Sequence, residues 1–214
     1  MSSESLFEAE YKARYPLLSS VAEQLERHIQ GYLESLPRID RISARAKSPD
    51  RFIEKAYKRD DDGKRKYLNP LFEIQDQIGA RITVFYLSDV QRVKIEVEKY
   101  FKFIEVENKT PNSDYEFGYF GLHYIISVPD EVVPDEYEDD IPEFFELQIK
   151  TLFQHAWSEA HHDLGYKSIR DLTHEERRKV AFTAAQAWGA DAIFEELASS
   201  LVFNDNSPSP SETT

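Results

Sequence analysis

The sequence predicts an α/β (α+β) fold: one mixed β-sheet with helices packed around it and long helices at both ends. Three observations lead there. Runs rich in β-branched and aromatic residues, at 80–86, 101–106, 122–128 and 144–150, alternate with segments whose apolar residues recur at helical spacing. The resulting order, helix–helix–β–α–β–β–β–α–α, suits a single sheet covered by helices. The 14 Phe, 12 Tyr and 2 Trp among 214 residues supply the bulk of a sizeable core.

Residues 1–36 read as a long helix, with Leu18, Val21, Leu25, Ile29, Tyr32 and Leu36 at helical spacing. From Arg38 to Lys66 bases outnumber acids; the segment is helical from Ser48, and Asp61-Asp62-Gly63 marks a loop tip. Asn69 and Pro70 open a short helix as cap and first-turn residue. After the strand 80–86, Ser88-Asp89-Val90-Gln91 is a capping box for a helix striped by Val90, Val93 and Val97. Strands follow at 101–106 and 122–128. Pro129 to Glu143 is rich in Asp and Glu, holds no base, and reads as a solvated loop before the strand 144–150. A helix then runs to about Leu164. Thr173-His174-Glu175-Glu176 caps a last long helix with Ala187, Ala190, Phe194, Leu197 and Leu201 on one face. Residues 204–214, with Ser-Pro-Ser-Pro, are expected to be disordered, which leaves 1–203 as one domain.

Composition excludes several functions. With no Cys there is no disulfide, thiolate zinc site or cysteine nucleophile, in keeping with a reducing cytoplasm. The 7 glycines form neither a P-loop nor a dinucleotide fingerprint. No apolar run approaches the ~18 residues of a membrane span, and no signal peptide is expected. A net charge of −14 disfavours broad binding to nucleic acid or anionic membrane but permits a local basic pocket.

Chemistry-bearing residues fall in five places. Along 144–150, Phe145, Leu147 and Ile149 share one face, and Glu146, Gln148 and Lys150 the other. The polar row is either a site or the wet face of an edge strand. Asp76, at the entry to the first strand with Gly79 behind it, suits a Mg²⁺ ligand, and Glu146 would be its pair if their strands are neighbours; a plain turn carboxylate is the alternative. Arg45, Lys47, Arg51 and Lys55 form either a triphosphate clamp or a solvated basic face. Gly118-Tyr119-Phe120-Gly121-Leu122-His123 offers a stacking loop or a hairpin with core aromatics. His155, Glu159 and His162 share a helix face, as a metal set or, more commonly, a polar pocket lining.

Together these segments resemble the RelA/SpoT-type alarmone synthetase domain, in particular the small single-domain synthetases, from about Arg45 to Lys167. Glu146-Leu147-Gln148-Ile149-Lys150-Thr151 followed by His155-Ala156-Trp157 is similar to the family's Glu-x-Gln-Ile-Arg-Thr strand and His-Ala-Trp helix. Asp76-x-x-Gly79-x-Arg81 looks like its metal-binding motif, Arg45-x-Lys47 with Lys55 like its ATP segment, and Gly118-Tyr119 with His123 like its acceptor loop.

The resemblance implies a nucleotidyltransferase-like fold and a Mg²⁺-dependent cytoplasmic enzyme. It would move the β,γ-diphosphate of ATP to the 3′-hydroxyl of GTP or GDP, making (p)ppGpp and releasing AMP. It implies Asp76 and Glu146 as the catalytic, metal-holding pair and Arg45, Lys47, Lys55 and Arg81 as ATP-binding. Tyr119, His123, Gln148, Lys150 and His155 would surround the acceptor, with Tyr119 stacking on its base. Small synthetases of this type often form homo-oligomers through terminal helices. The sequence departs from the family at Arg51 and Gly121, where Ser is usual, at Lys150 for Arg, at His161 for an acid, and at Asp114 and Glu116, where many members carry a base for the acceptor's 5′ phosphates. These departures leave two alternatives: a toxic relative acting on an adenosine nucleotide or a tRNA 3′ end, the latter disfavoured by the net charge, and a silent nucleotide sensor.

Overall fold

The structure is a computed structural model that describes residues 3–108, 117–167 and 170–202. Helix α1 (Ser3–Leu33) leads to strand β1 (Ile39–Ala46) and helices α2 (Pro49–Ala56) and α3 (Pro70–Glu73). Strand β2 (Ile78–Val84), helix α4 (Leu87–Tyr100) and strands β3 (Phe103–Asn108), β4 (Leu122–Ser127) and β5 (Phe144–Thr151) follow, then helices α5 (Leu152–Lys167) and α6 (His174–Leu201). The five strands form one mixed sheet in the order β1-β2-β5-β4-β3. Only the central β2–β5 pair is parallel.

Each inner strand has an apolar face because every second residue is apolar. Ile82, Leu147, Ile149, Tyr124 and Ile126 are wholly buried, against Leu18, Val21 and Leu25 of α1 and Val93 and Val97 of α4. This half of the molecule is the hydrophobic core. The opposite sheet face carries the polar residues, and α5 crosses it.

The predicted helices and the strands at 80–86, 101–106, 122–128 and 144–150 are present, with ends shifted by a few residues. The first helix stops at Leu33 rather than Leu36. The strand at 144–150 is central, so its Glu146-Gln148-Lys150 row is not an edge face turned to water. One strand was not expected. β1 lies inside the basic segment, and its period-2 pattern is masked because Asp40, Arg41, Ser43 and Arg45 alternate with Ile42, Ala44 and Ala46, weak apolar partners on a sheet edge. The capping box before α4 also lies earlier than predicted: Asp89 accepts from the Tyr86 N–H, and the helix starts at Leu87. Thr173 and Glu176 cap α6 reciprocally, as their spacing predicts. The acidic 129–143 segment holds two short 3-10 turns and buries Val132 and Ile141 under α1 and the sheet. The expected disorder at 204–214, and Asp114 and Glu116, lie outside the described residues.

Candidate active site

The register sets the polar face in rows. Arg45 of β1, Gly79 of β2 and Glu146 of β5 lie opposite one another; Ser43, Arg81, Gln148 and His123 of β4 form the next row. Beyond them Arg41, Thr83 and Lys150 form a third. A parallel β2–β5 pair puts the starts of both strands at one end of the sheet. Asp76 lies in the 3-10 turn just before β2, three residues ahead of Gly79, the partner of Glu146. The two carboxylates therefore stand at the same end of neighbouring strands, and both remain open to solvent, with 20% and 22% of their side chains exposed.

Three clusters occupy this face. In the first, Lys47 and Lys55 both donate to Asp76 Oδ2, at 3.0 and 2.9 Å. The local chain explains the meeting. Lys47 directly follows β1, its N–H bonded to the Gln77 carbonyl, while Lys55 lies in the last turn of α2. Tyr11 and Phe52, stacked at 3.6 Å, back this corner, and Tyr11 donates its hydroxyl to the Lys47 carbonyl. Burial first, and then the Asp76 charge, push the Tyr11 phenol well above its ordinary range and keep it a donor.

In the second cluster His123 Nδ1 lies 2.9 Å from Glu146 Oε1, and Gln148 Nε2 donates to Glu146 Oε2 at 3.1 Å. These contacts fix the carboxylate's orientation. In the third, one guanidinium nitrogen of Arg81 reaches His155 Nδ1 at 3.0 Å and Glu159 Oε1 at 2.8 Å. Burial, and then the Arg81 charge, hold the His155 imidazole below its ordinary pKa, with Lys150 and Arg41 adding to the shift. A neutral His155 accepts from Arg81 through Nδ1 and keeps its proton on Nε2. For Glu159 burial acts upward, but Arg81, His155 and Lys150 together outweigh it and hold the carboxyl low.

α5 is aimed by its start. Thr151 accepts from the Gln154 N–H and Gln154 accepts from the Thr151 N–H, a reciprocal cap that turns β5 straight into the helix and sets His155 over Arg81. The Thr151-x-x-Gln154 spacing was visible in the sequence. Further along, Arg51 lies 3.5 Å from His162. The His155–Glu159–His162 face thus meets arginines. Among the described residues no group of three or more His, Asp or Glu converges as a protein-only metal centre.

The other predicted site residues are placed differently. Arg45 is exposed on the polar face. Lys150 is 4% exposed and donates to Ser158 Oγ at 2.9 Å. The acceptor-like loop splits its two aromatics. Phe120 packs edge-on against Trp157, which in turn stacks on His161. Tyr119 is half-buried and donates its hydroxyl to Asp191 of α6 at 2.6 Å. Asp191 was not anticipated from the sequence. The available signal was its isolation: it is the one charged residue between Lys179 and Glu195.

As for a divalent cation, the donor set fits a hard ion that keeps phosphate and water ligands. Asp76 Oδ1 is shielded from solvent and has no hydrogen-bond partner, and the second carboxylate is Glu146 across the strand pair. Within a chain of net charge −14, Arg41, Arg45, Lys47, Arg51, Lys55, Arg81 and Lys150 gather on this side and favour polyanions there.

One face of the sheet thus gathers an acidic pair, a basic cradle and a helix-borne histidine. The family model describing the region found in RelA and SpoT proteins matches residues 44–171, more than half of the chain, and the chain belongs to that family. Solved structures agree in fold. Small alarmone synthetase 2 from Bacillus subtilis superposes with a TM-score of 0.71 at 20% identity, covering 89% of this chain and 99% of that one. Small alarmone synthetase 1 from Bacillus subtilis bound to its product pppGpp gives 0.66 at 22% identity, covering 92% and 97%. The same synthetase bound to AMPCPP gives 0.59 at 20%, covering 92% and 96%. No curated protein matches by sequence. Among the described residues no helix is long and apolar enough to cross a membrane.

Proposed function

We propose that the protein is a Mg²⁺-dependent cytoplasmic pyrophosphokinase that transfers the β,γ-diphosphate of ATP to the 3′-hydroxyl of GTP or GDP. The observation that carries this reading is the placement of Asp76 and Glu146 at one end of adjacent parallel strands, beside a cradle of basic side chains. Family membership and the likeness to structures holding pppGpp and AMPCPP support nucleotide substrates.

Asp76 and Glu146 would hold the cation, which would supply charge neutralisation at the transferring phosphates. Lys47, Lys55, Arg45 and Arg81 bind the triphosphate; Lys47 and Lys55 exchange part of their contact with Asp76 for phosphate oxygens. Glu146, held by His123 and Gln148, orients the acceptor's 3′-hydroxyl and takes its proton. The new bond joins that oxygen to the β-phosphorus, the α–β bridging bond breaks, and AMP leaves with the bridging oxygen. Neutral His155, with Gln148 and Lys150, lines the acceptor side. The protein does little covalent work, so positioning and charge neutralisation dominate. Self-association through the exposed Phe182, Ile193, Leu197 and Leu201 of α6 belongs to the same reading and is tested by sedimentation.

The deciding experiment incubates purified protein with ATP, Mg²⁺ and, separately, GTP, GDP, an adenosine nucleotide and tRNA. A 3′-pyrophosphorylated guanosine nucleotide and AMP in equal amounts are expected. A product on the adenosine nucleotide or tRNA alone moves the protein to a toxin-like acceptor, and tight nucleotide binding with no product makes it a sensor.

A further inference from the structure

Asp191 lies outside residues 44–171 matched by the family, on the inward face of α6, and is 1% exposed. Its Oδ2 atom accepts two hydroxyl hydrogen bonds, from Tyr119 at 2.6 Å and from Thr151 at 2.5 Å. Oδ1 is buried with no hydrogen-bond partner. A buried carboxylate is costly unless it is well bonded, so a helix that keeps one in an otherwise apolar stretch needs a reason. The two donors supply it. Thr151 ends β5 and caps α5, and so fixes the frame that carries Glu146, Gln148 and His155. Tyr119 stands in the loop before β4, the strand that carries His123.

The Tyr119 phenol must stay protonated to donate, and its surroundings hold it so. Burial and then the Asp191 carboxylate push its pKa far above the ordinary range. Its ring has no aromatic partner among the described residues, whereas its neighbour Phe120 is taken up by Trp157 and His161. Gly121 secures the same loop from the other side. Its φ is +88°, and a Cβ there would meet the Ile149 carbonyl at 2.7 Å. The loop is thus pinned to β5 at two points, with one ring left half-exposed and unstacked.

We propose that Asp191 is a positioning residue for acceptor binding: by clamping the Tyr119 hydroxyl to the Thr151 corner, it holds the ring edge-anchored with a face free to stack on the acceptor's base. This makes α6 part of the acceptor site. A ring fixed before binding loses less freedom when the nucleotide arrives, so the clamp acts on acceptor affinity and leaves ATP binding alone. The inference rests on the proposed acceptor site and on the base-stacking role that the family resemblance implies for Tyr119.

The test is steady-state kinetics on Asp191→Ala, Asp191→Asn, Tyr119→Phe and the double variant Asp191→Ala/Tyr119→Phe, with acceptor and ATP varied separately. Tyr119→Phe keeps the ring and removes only the hydroxyl. It and Asp191→Ala are each expected to raise the acceptor KM about tenfold, as for loss of a hydrogen bond to a charged group. The KM for ATP stays within twofold. The double variant is no worse than the weaker single one, and Asp191→Asn, which keeps an acceptor oxygen, recovers part of the loss. An acceptor KM within twofold of the parent in Tyr119→Phe, or additive effects in the double variant, overturns the inference. Should Asp191→Ala not fold, Tyr119→Phe and Asp191→Asn decide alone. A parent protein that makes no product with any acceptor overturns the proposed function instead, and the two failures are thereby distinguished.

Discussion

Replacing Asp76 by Asn separates metal binding from structure at one atom pair. Each lysine contact, near 3 Å, has a Coulomb energy of ~1 kcal/mol in bulk water and ~5 kcal/mol at an effective dielectric of 20. The three side chains are between 20% and 29% exposed, which places them between those limits. Desolvation and side-chain entropy offset most of the attraction, so the net loss of stability is about 1–2 kcal/mol. For a chain of this size that lowers Tm by about 2–8 °C. Turnover is expected to fall far more, by about a thousandfold or beyond, because the amide no longer holds a cation over the transferring phosphates. Lys47 and Lys55, released from the carboxylate, are expected to bind metal-free ATP at least as tightly as the parent does. Calorimetry with ATP and EDTA, thermal denaturation and a product assay read these three effects separately. Turnover above a tenth of the parent rate refutes the metal role. Loss of the folded state refutes the energetic argument and makes Asp76 chiefly a structural counter-ion.

Three further outcomes follow from the geometry. His155 and His162 are both held below their ordinary pKa, by burial first and by Arg81 and Arg51 next. Their contribution to stability is therefore complete above about pH 6.5 and is lost as pH falls through the depressed values; urea denaturation at pH 7.5 and 5.0 should show this, with a shallower dependence in His155→Gln. Gly121→Ala forces a side chain onto a positive φ and into the Ile149 carbonyl, and is expected to cost about 2–4 kcal/mol by urea denaturation. Thr173→Ala removes the reciprocal cap of α6 and should cost about 1 kcal/mol in the same assay, with little change in turnover.

Periodicity carried most of the fold. Val90, Val93 and Val97, or Phe145, Leu147 and Ile149, announce a helix stripe and a strand face because burial repeats with the backbone period. β1 escaped because an edge strand with Ala at two of its inward positions, Ala44 and Ala46, has a weak apolar signal. For the site, the Asp76-x-x-Gly79 and Glu146-x-Gln148 spacings named residues that the fold brings to one end of neighbouring strands, since a strand fixes which side chains share a face. The pairings were not legible. Nothing in the chain order says that Arg81 will meet His155 and Glu159, or that Lys47 and Lys55 will share one carboxylate oxygen. Those contacts depend on strand order, which short-range spacing does not encode. Asp191 shows the same limit: its isolation was readable, but its partners lie 40 and 72 residues away. The need for glycine at 121, by contrast, has a local cause, since the loop passes against β5 with a positive φ.

Manganese binding measured by electron paramagnetic resonance, with a non-hydrolysable ATP analogue present, most directly tests whether Asp76 and Glu146 hold one divalent ion between them. Tight binding in the parent and at least a tenfold weaker affinity in both Asp76→Asn and Glu146→Gln are expected. Parent-like affinity in either variant contradicts a shared ion and removes the basis for the catalytic assignment.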